Sequence, residues 1–397
     1  MFRRDLLERT GLRYPETRNT EDAFFVYLNL AEAKRIAIVP EVLVSHRSHT
    51  ASLAAQTCGK TLEHIRVYEY MDDWLRERGL FEIFKQTFFN FVVEHGIWSL
   101  CPAGADVQAF RPEMYTSFVD FLGKHFEPAS YPSAYYHNAE LFDFIHSMFI
   151  KKPCRLRYSV VMPCYNVEKY IDEALESLAL QTIDFTKSIE CILVNDGSTD
   201  STPEKMRLWA EKFPNIICVH KENGGLSSAH NAGLAVATCP WVTFIDPDDF
   251  LHPDYFYQID SVLSQHEEEA AFIAGRFVTY WEKDQKFGKH PLDFKYTDPV
   301  RIIPLDDIGS AIQCAVNHSF LRREVLIENG LLFSPACRPD FEDTHLLIRY
   351  SAFVGGQKAV YVKNAIYLYR KREDGTSLLD VSWQKNRSIA MCISMDT

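Results

Sequence analysis

The sequence predicts an α/β protein with a doubly wound, mostly parallel sheet, preceded by a helical region. Between residues 154 and 262, short apolar runs alternate with amphipathic segments, and this alternation is typical of strand-helix-strand units. The apolar runs are continuous and rich in β-branched residues, which indicates strands buried on both faces. Polar side chains follow these runs, at the edge of the sheet where ligands bind in this fold class.

The elements follow in chain order from apolar spacing and capping residues. Apolar positions three and four residues apart between 167 and 181 predict the first helix. Thr202 is expected to cap the second helix, with Pro203 at its first position. Beyond Asp249, the pattern predicts a helix at 254–265 and a strand-like run at 271–279. The strands before Asp249 are predicted at 159–162, 191–194, 216–219 and 241–245, and the third helix at 226–237.

Composition and charge restrict the class of protein. The 397 residues are 47% hydrophobic and 24% charged, as in globular domains. A net charge of -12 argues against a nucleic-acid partner. The ten cysteines include no C-x-x-C pair, which favours a reducing compartment. No apolar run reaches the ~18 residues of a membrane span, and the amino terminus is too charged for a signal peptide. We therefore expect a cytoplasmic protein, with peripheral contact at the inner face of the cell membrane left open.

The first 55 residues resemble a later part of the same chain. The repeated features are an Arg-Arg pair (3–4 and 322–323), a glycine (11 and 330), a Glu-Asp pair (21–22 and 342–343), a helix-like run and a β-type run. Small drifting offsets of this kind are expected for a repeated unit with loop insertions. We therefore expect residues 1–55 to be the C-terminal part of a first domain, 56–153 a helical region, and 381–397 the start of a further helical extension.

Carboxylates follow two of the predicted strands. Asp246 and Asp248 come directly after the fourth strand, where two carboxylates can hold a hard divalent cation beside a diphosphate. The alternative is a solvated acidic turn in which Asp248 or Asp249 caps a helix. Asp196 follows the second strand and can accept hydrogen bonds from a base or a ribose at the same edge. Its alternative is a turn residue in Asn-Asp-Gly-Ser.

A glycine pair precedes the third predicted helix. Backbone N–H groups at Gly224 and Gly225 can approach phosphate oxygens, and a helix N-terminus favours negative charge. The surrounding residues match neither a Walker loop nor a G-x-G-x-x-G fingerprint. A nucleoside triphosphatase or a dehydrogenase is therefore disfavoured.

Together these motifs resemble the family 2 glycosyltransferases of GT-A fold, over about residues 158–380. The matching motifs are Val-Met-Pro-Cys-Tyr-Asn at 161–166, Val-Asn-Asp-Gly-Ser-Thr-Asp at 194–200, Glu-Asn-Gly-Gly at 222–225, Asn-Ala-Gly-Leu at 231–234 and Asp-Pro-Asp-Asp at 246–249. The resemblance implies inverting transfer from a nucleotide-diphosphate sugar, with a UDP-sugar favoured and Mn²⁺ or Mg²⁺ as cofactor. It implies a glycan or lipid-linked hydroxyl acceptor, in the synthesis of bacterial capsule, lipopolysaccharide or another surface polysaccharide.

The resemblance also implies a role for each matching residue. Asp196 would hold the nucleotide base, Asp246 the ribose and the metal, and Asp248 the metal. Asp343 would be the catalytic base, with Glu342 beside it to orient the acceptor. Residues 154–262 would form the nucleotide-sugar-binding half and 263–380 the acceptor and catalytic-base half. The remaining nucleotide-sugar contacts implied are Pro163, Tyr165, Asn166, Gly224, Gly225, His230 and Asn231.

One position departs from the family pattern. An arginine usually precedes Asn-x-Gly-Leu, whereas this chain has His230, which is largely neutral at pH 7 and cannot grip a phosphate bidentately. If His230 lies beside the diphosphate, donor affinity is expected to strengthen below pH ~6.5. His318 and His345 are further candidates for the site, although an isolated histidine is more often a packing or surface residue.

Two other functions compete with glycosyl transfer. A non-catalytic nucleotide-binding scaffold in a polysaccharide assembly complex is favoured by the partial repeat and by His230. The intact carboxylates Asp196, Asp248 and Asp343 argue against it. A sugar nucleotidyltransferase would need a glycine-rich phosphate loop with an arginine after the first strand, where this chain has Pro-Cys-Tyr-Asn at 163–166.

Overall fold

The computed structural model divides the chain into two compact units, Met1–Ile150 and Lys151–Thr397. It describes residues 4–13, 21–34, 63–100, 112–138, 140–150, 155, 157–305, 315–337 and 341–373. The β-type run of the first repeat at 36–44 and the predicted extension at 381–397 lie outside the described residues. No helix in the described ranges combines the length and hydrophobicity that crossing a membrane requires.

The first unit is helical wherever the structure describes it. Its core is aromatic, with Tyr68, Phe89 and Phe118 fully buried. This is the helical region expected ahead of the sheet. The helices are α1 (Arg4–Thr10), α2 (Glu21–Ala31), α3 (Glu63–Glu77), α4 (Phe81–Leu100), α5 (Pro112–His125) and α6 (Glu140–Phe149).

The second unit contains a ten-stranded mixed sheet. Its strands are β1 (Tyr158–Cys164), β2 (Ile189–Asp196), β3 (Ile216–Lys221), β4 (Trp241–Phe244), β5 (Phe250–Leu251), β6 (Ala270–Trp281), β7 (Lys286–Lys289), β8 (Val300–Pro304), β9 (Ser319–Arg322) and β10 (Lys358–Lys371). The main strand order is β3-β2-β1-β4-β9-β6-β10-β5, with β7 on β6 and β8 on β10. The first four strands are parallel, and β9 is antiparallel to both β4 and β6. The predicted α/β class with a mostly parallel sheet is confirmed.

Seven helices in the described part of this unit surround the sheet. They are α7 (Ile171–Ala179), α8 (Phe185–Ser188), α9 (Thr202–Lys212), α10 (Leu226–Val236), α11 (Tyr255–His266), α12 (Arg323–Glu328) and α13 (Glu342–Phe353). Every residue of β1 and β2 is buried, because apolar clusters cover both faces of the sheet. Helix α10 packs directly against β1. A side chain at Gly233 would overlap Val161, because its Cβ would lie 2.3 Å from the Val161 Cγ1.

One predicted cap is displaced by a residue. Helix α9 begins at Thr202 itself and Ser201 occupies the capping position. The Thr202 hydroxyl instead accepts a hydrogen bond from the backbone N–H of Val167 at 2.9 Å. It therefore ties the start of α9 to the loop after β1.

The described parts of the two repeats have the same helices at equivalent positions. Helix α1 matches α12, and the glycines that follow them, Gly11 and Gly330, have φ angles of 62° and 58°. Helix α2 matches α13, and each begins with Glu-Asp. The assignment of residues 1–55 to a first domain stays a prediction.

Candidate active site

Two interlocked loops form the carboxyl edge of β1 and β2. Asn166 has a φ of 51°, a left-handed conformation that asparagine tolerates. Its side-chain oxygen accepts from the Thr199 N–H at 2.8 Å, and its own N–H donates to the Ser198 hydroxyl at 3.1 Å. Pro163 is buried within β1. Tyr165 is 50% exposed, so its ring is available to a ligand.

Asp196 ends β2 and organises the glycine loop. Its carboxylate accepts from the N–H groups of Gly224 and Gly225, at 2.9 and 2.7 Å, and from the Lys221 ammonium. Gly225 has a φ of 81°, which a residue with a side chain rarely adopts. Both N–H groups are thus donated to Asp196, and their approach to a phosphate stays a prediction.

The acidic run after β4 contains three carboxylates with different partners. Asp249 is buried and accepts from the Arg370 N–H at 2.7 Å. Asp248 forms an ion pair with Arg372, with 2.6 Å between its Oδ2 and Nε. Asp246 accepts from the Asn317 side-chain amide at 3.1 Å. Asp249 is therefore structural, whereas Asp246 and Asp248 form the pair at the site.

Burial and neighbouring carboxylates raise the pKa values of Asp246 and Asp249. Burial, and next the charge of Asp248, raise the pKa of Asp246 to about 7. The same causes hold the pKa of Asp249 well above its usual range. These effects are expected where carboxylates are crowded with little water.

Asp343 lies in the first turn of α13 and joins this cluster. Its Oδ2 accepts from the Val316 N–H at 3.1 Å. Burial is the main cause that raises its pKa to about 7, and the charges of Asp246 and of the buried Glu342 add to it. The structure therefore brings Asp343 within electrostatic reach of Asp246, which is next but one to Asp248 in the acidic run.

A short turn before β9 contacts both halves of this site. The N–H of Val316 holds Asp343, and the next residue, Asn317, holds Asp246. The Tyr367 hydroxyl on β10 accepts from the N–H of Asp246 at 3.1 Å. Sequence reasoning missed Val316, Asn317 and Tyr367 because nothing in their local pattern indicates that they face the acidic residues.

Sequence reasoning also missed the roles of Arg370 and Arg372, which lie at and just after the end of β10. Arg370 is 3% exposed and its guanidinium carbon lies 5.2 or 5.3 Å from three aromatic ring centres. It pairs with Glu173 and with Glu282, and its Nε donates to the carbonyl of Asp248 at 2.6 Å. Arg370 thus fastens the end of β10 to the acidic turn.

His230 and Asn231 lie in α10, away from the exposed edge. Burial lowers the pKa of His230 to about 3, so the expected gain of charge below pH 6.5 is wrong. The Asn231 side chain pairs with the backbone of Phe333. His318 is buried against Phe277, with 3.8 Å between the ring centres, and burial holds its pKa well below the usual range. His345 is half-buried in α13.

Asp246 and Asp248 fit a divalent cation only if water and substrate supply the other ligands. Among the described residues, no three His, Cys, Asp or Glu side chains converge as a protein-only metal site would require. Asp246 and Asp248 offer hard oxygen donors, and Asp248 already binds a cationic group, Arg372. Mg²⁺ commonly uses one or two carboxylates and takes its other ligands from water and substrate phosphates. These two residues fit that mode of binding.

The parallel half-sheet, the acidic turn after β4 and the carboxylate that opens α13 define the GT-A-type α/β class expected from the sequence. The family model described as Glycosyl transferase family 2 matches residues 159–330. The chain therefore carries a family 2 glycosyltransferase domain.

Individual proteins match the same part of the chain. The minor teichoic acid biosynthesis protein GgaB of Bacillus subtilis (strain 168) is 34% identical over 228 residues, which is 57% of this chain and 24% of GgaB. GgaA of the same organism is 30% identical over 236 residues, 57% of this chain and 50% of GgaA. The chain thus spans at most half the length of these two curated relatives. A crystal structure of Staphylococcus aureus TarS 1–349 with UDP-GlcNAc aligns with a TM-score of 0.48 and 22% identity, covering 55% of this chain and 59% of that one.

Proposed function

We propose that this protein is an inverting glycosyltransferase that moves a sugar from a nucleotide-diphosphate sugar to a hydroxyl acceptor. The observation that carries the proposal is the convergence of Asp343 with Asp246 and Asp248, where burial raises the pKa of Asp343 to about 7. A general base works best when its pKa lies near the operating pH. Asp343 is therefore suited to take a proton from a hydroxyl at neutral pH.

The proposed transfer is a single displacement. The acceptor oxygen attacks the anomeric carbon from the face opposite the diphosphate while its proton passes to the Asp343 carboxylate. The bond to the diphosphate breaks and its electron pair stays on the leaving group, so the anomeric centre is inverted. Glu342, next to Asp343, is placed to orient the acceptor.

Asp246 and Asp248 would hold Mn²⁺ or Mg²⁺ at the leaving group. The cation would supply Lewis-acid stabilisation of the charge that develops on the diphosphate. Asp196 and the exposed Tyr165 ring lie at the neighbouring strand ends, where they are placed to bind the nucleoside. Asn166 shapes this loop through its contacts with Ser198 and Thr199.

The substrates proposed are a UDP-sugar and a glycan or lipid-linked acceptor of a bacterial surface polymer, used at the cytoplasmic face of the membrane. The names of GgaA and GgaB, which refer to minor teichoic acid biosynthesis, support a surface polymer as the acceptor. Deprotonation of a hydroxyl by Asp343 would serve a sugar acceptor or a polyol acceptor equally.

A donor screen tests the proposal. Purified protein is incubated with UDP-, GDP-, CDP- and TDP-sugars, with and without Mn²⁺, and release of nucleoside diphosphate is measured for wild type and Asp343→Asn. We expect Mn²⁺-dependent release with one nucleotide, loss of release in the variant, and an inverted anomeric product by NMR. If wild type binds a nucleotide but releases no diphosphate from any of these donors, even with acceptor glycans present, the scaffold function replaces transfer.

A further inference from the structure

One face of α10 contacts the segment that leads to the catalytic-base helix. Ser227, His230 and Asn231 lie three and four residues apart on this helix and all meet residues 333–334. Resting on the proposed function, we infer that these contacts form a latch that positions Asp343, and that Asn231 acts through this latch and does not bind the donor. The α10 latch is defined here as Ser227, His230 and Asn231 with Phe333 and Ser334.

Asn231 is the centre of the latch. Its side-chain N–H donates to the Phe333 carbonyl at 2.9 Å, and its side-chain oxygen accepts from the Phe333 N–H at 2.9 Å. The amide thus pairs with both backbone groups of one residue, as a neighbouring strand would. Because one N–H and the oxygen of the Asn231 amide both bind Phe333, the side chain is held facing that residue. Ser227 adds a hydrogen bond from its hydroxyl to the Ser334 carbonyl at 3.4 Å.

His230 contributes an aromatic ring to the buried side of the α10 latch. Its ring lies between Phe333 and Phe244, with 4.5 and 4.9 Å between ring centres. It is 2% exposed, and neither ring nitrogen has a hydrogen-bond partner among the described residues. An imidazole in this place contributes an aromatic surface and not a charge. This explains how the chain accepts histidine where the family usually has arginine.

The latch is connected to the catalytic base through a short stretch of chain. Helix α10 is fixed on β1 by the close approach of Gly233 to Val161. From Ser334 the chain passes through a helical turn at Pro335–Cys337, whose last carbonyl accepts from the Phe341 N–H at 3.3 Å. Glu342 and Asp343 follow. Val316 binds the Asp343 carboxylate directly, and the latch binds Phe333 and Ser334, which precede α13 in the chain.

Replacement of Asn231 by alanine tests this inference. Both hydrogen bonds to Phe333 are lost, so its amide hydrogen should exchange with solvent at least tenfold faster. The Val316 amide, which donates to Asp343, should also exchange faster, because it reports the placement of that carboxylate without any turnover. We expect kcat to fall by about 10- to 100-fold, since small misplacements of a catalytic group have effects of that size. The Kd for nucleoside diphosphate with Mn²⁺ should stay within twofold.

Two further variants complete the test. Asn231→Asp keeps the acceptor for the Phe333 N–H and should recover part of the protection and of kcat. Asn329→Ala removes an asparagine whose side chain donates to the Val325 carbonyl in the preceding helix α12, and should change none of these quantities.

Three results would overturn the inference. A more than tenfold weaker Kd with kcat retained would make Asn231 a donor ligand. Unchanged exchange at Phe333 and Val316 would show that no latch exists, and faster exchange with unchanged kcat would show that it does not position the base. A wild-type protein without turnover would instead overturn the proposed function, and the two exchange rates would still decide whether the latch holds Asp343.

Discussion

Four aspartates at the site have similar sequence signals and different physical states. The Asp249 carboxylate accepts from a backbone N–H, and the Asp248 carboxylate pairs with an arginine. The pKa values of Asp246 and Asp343 are raised to about 7. The sequence could predict that Asp246, Asp248 and Asp249 lie at the edge of the sheet where ligands bind, because they follow a strand. It placed Asp343 with them only through the family resemblance. It could not predict the pKa values, since they depend on burial and on charges brought from distant segments.

The repeat provides a matched control for the catalytic base. Asp343 is the second residue of α13, and Asp22 is the second residue of α2. Asp343→Asn should lower transfer by ~10²–10⁴, because an amide cannot take the proton. Asp22→Asn should leave turnover within about twofold and change stability by no more than the ~1 kcal/mol usual for a point mutation. If turnover measurements show Asp22→Asn to be the inactive variant, the base has been assigned to the wrong helix.

The raised pKa of Asp343 also predicts a pH dependence. The base must be ionised, so kcat/KM should rise with pH and level off above about 7. The effect on folding has the opposite direction. A carboxyl whose pKa rises from its usual value to about 7 on folding contributes stability that is full below pH ~4 and is lost as pH rises through 7.

Asp343→Asn should therefore be more stable than wild type at pH 8, by about 2 kcal/mol, and should lose this advantage near pH 4. Denaturant unfolding of the two proteins at both pH values measures the difference. An equal difference at pH 4 and pH 8 would show that the carboxyl is not desolvated in the folded protein.

His230 yields a prediction that separates packing from phosphate binding. His230→Phe removes two unpartnered buried nitrogens and should keep or raise stability by up to ~1 kcal/mol, with nucleotide affinity unchanged. His230→Arg buries a charge among aromatic rings and should cost several kcal/mol. Wild type and His230→Phe should show the same pH dependence of affinity between pH 5.5 and 8, because the pKa of His230 lies at about 3. Calorimetry that shows stronger binding for the arginine variant would place residue 230 at the diphosphate.

Among the secondary-structure elements, local pattern predicted the strands and helices before Asp249 and missed the order of the sheet beyond it. Strand β9 has only four residues, yet it lies between β4 and β6 and is antiparallel to both. Its neighbours in the sheet are far away in sequence, so no local pattern indicates which strands it joins. The turn at Val316–Asn317, which reaches both acidic groups, enters the site only because β9 is placed there.

The end of β10 offers a test of how the acidic turn is held. Arg370→Met should destabilise the protein by about 3 kcal/mol, because it leaves Glu173 and Glu282 without their cation in a largely buried place. The matched surface control is Arg207→Met, where the guanidinium pairs with Glu204 and Glu211 on an exposed helix face. That loss should cost at most ~1 kcal/mol. Comparable unfolding free energies for the two variants would show that Arg370 does not fasten the turn.

On the scale of the whole molecule, the second unit joins two halves with different tasks. Three features link the half that contains Asp246 and Asp248 to the half that supplies Asp343. They are the sheet, the turn at Val316–Asn317 and the α10 latch. The loss of pattern after Asp249 was visible in the sequence, and the division of this unit at about residue 262 stays a prediction. These links were not visible in the sequence, because they join residues that are not neighbours in sequence, such as Asn317 and Asp246, which are 71 positions apart. A single sequence encodes the individual elements more clearly than the pairs between them.

Ligand binding between these two halves should raise the unfolding temperature of the protein. A ligand at 100 times its Kd stabilises the folded state by ~2.7 kcal/mol, so nucleoside diphosphate with Mn²⁺ should raise the unfolding temperature more than the nucleotide alone. Asp248→Asn should remove the Mn²⁺-dependent part, because its carboxylate would be a cation ligand, while the fold of the ligand-free protein is kept. Asp284→Asn, at an exposed position, serves as the control and should respond as wild type does. Thermal unfolding with the chelated, metal-free nucleotide provides the baseline. An Mn²⁺-dependent rise that persists in Asp248→Asn would move the cation to another residue, with Asp246 as the next to test.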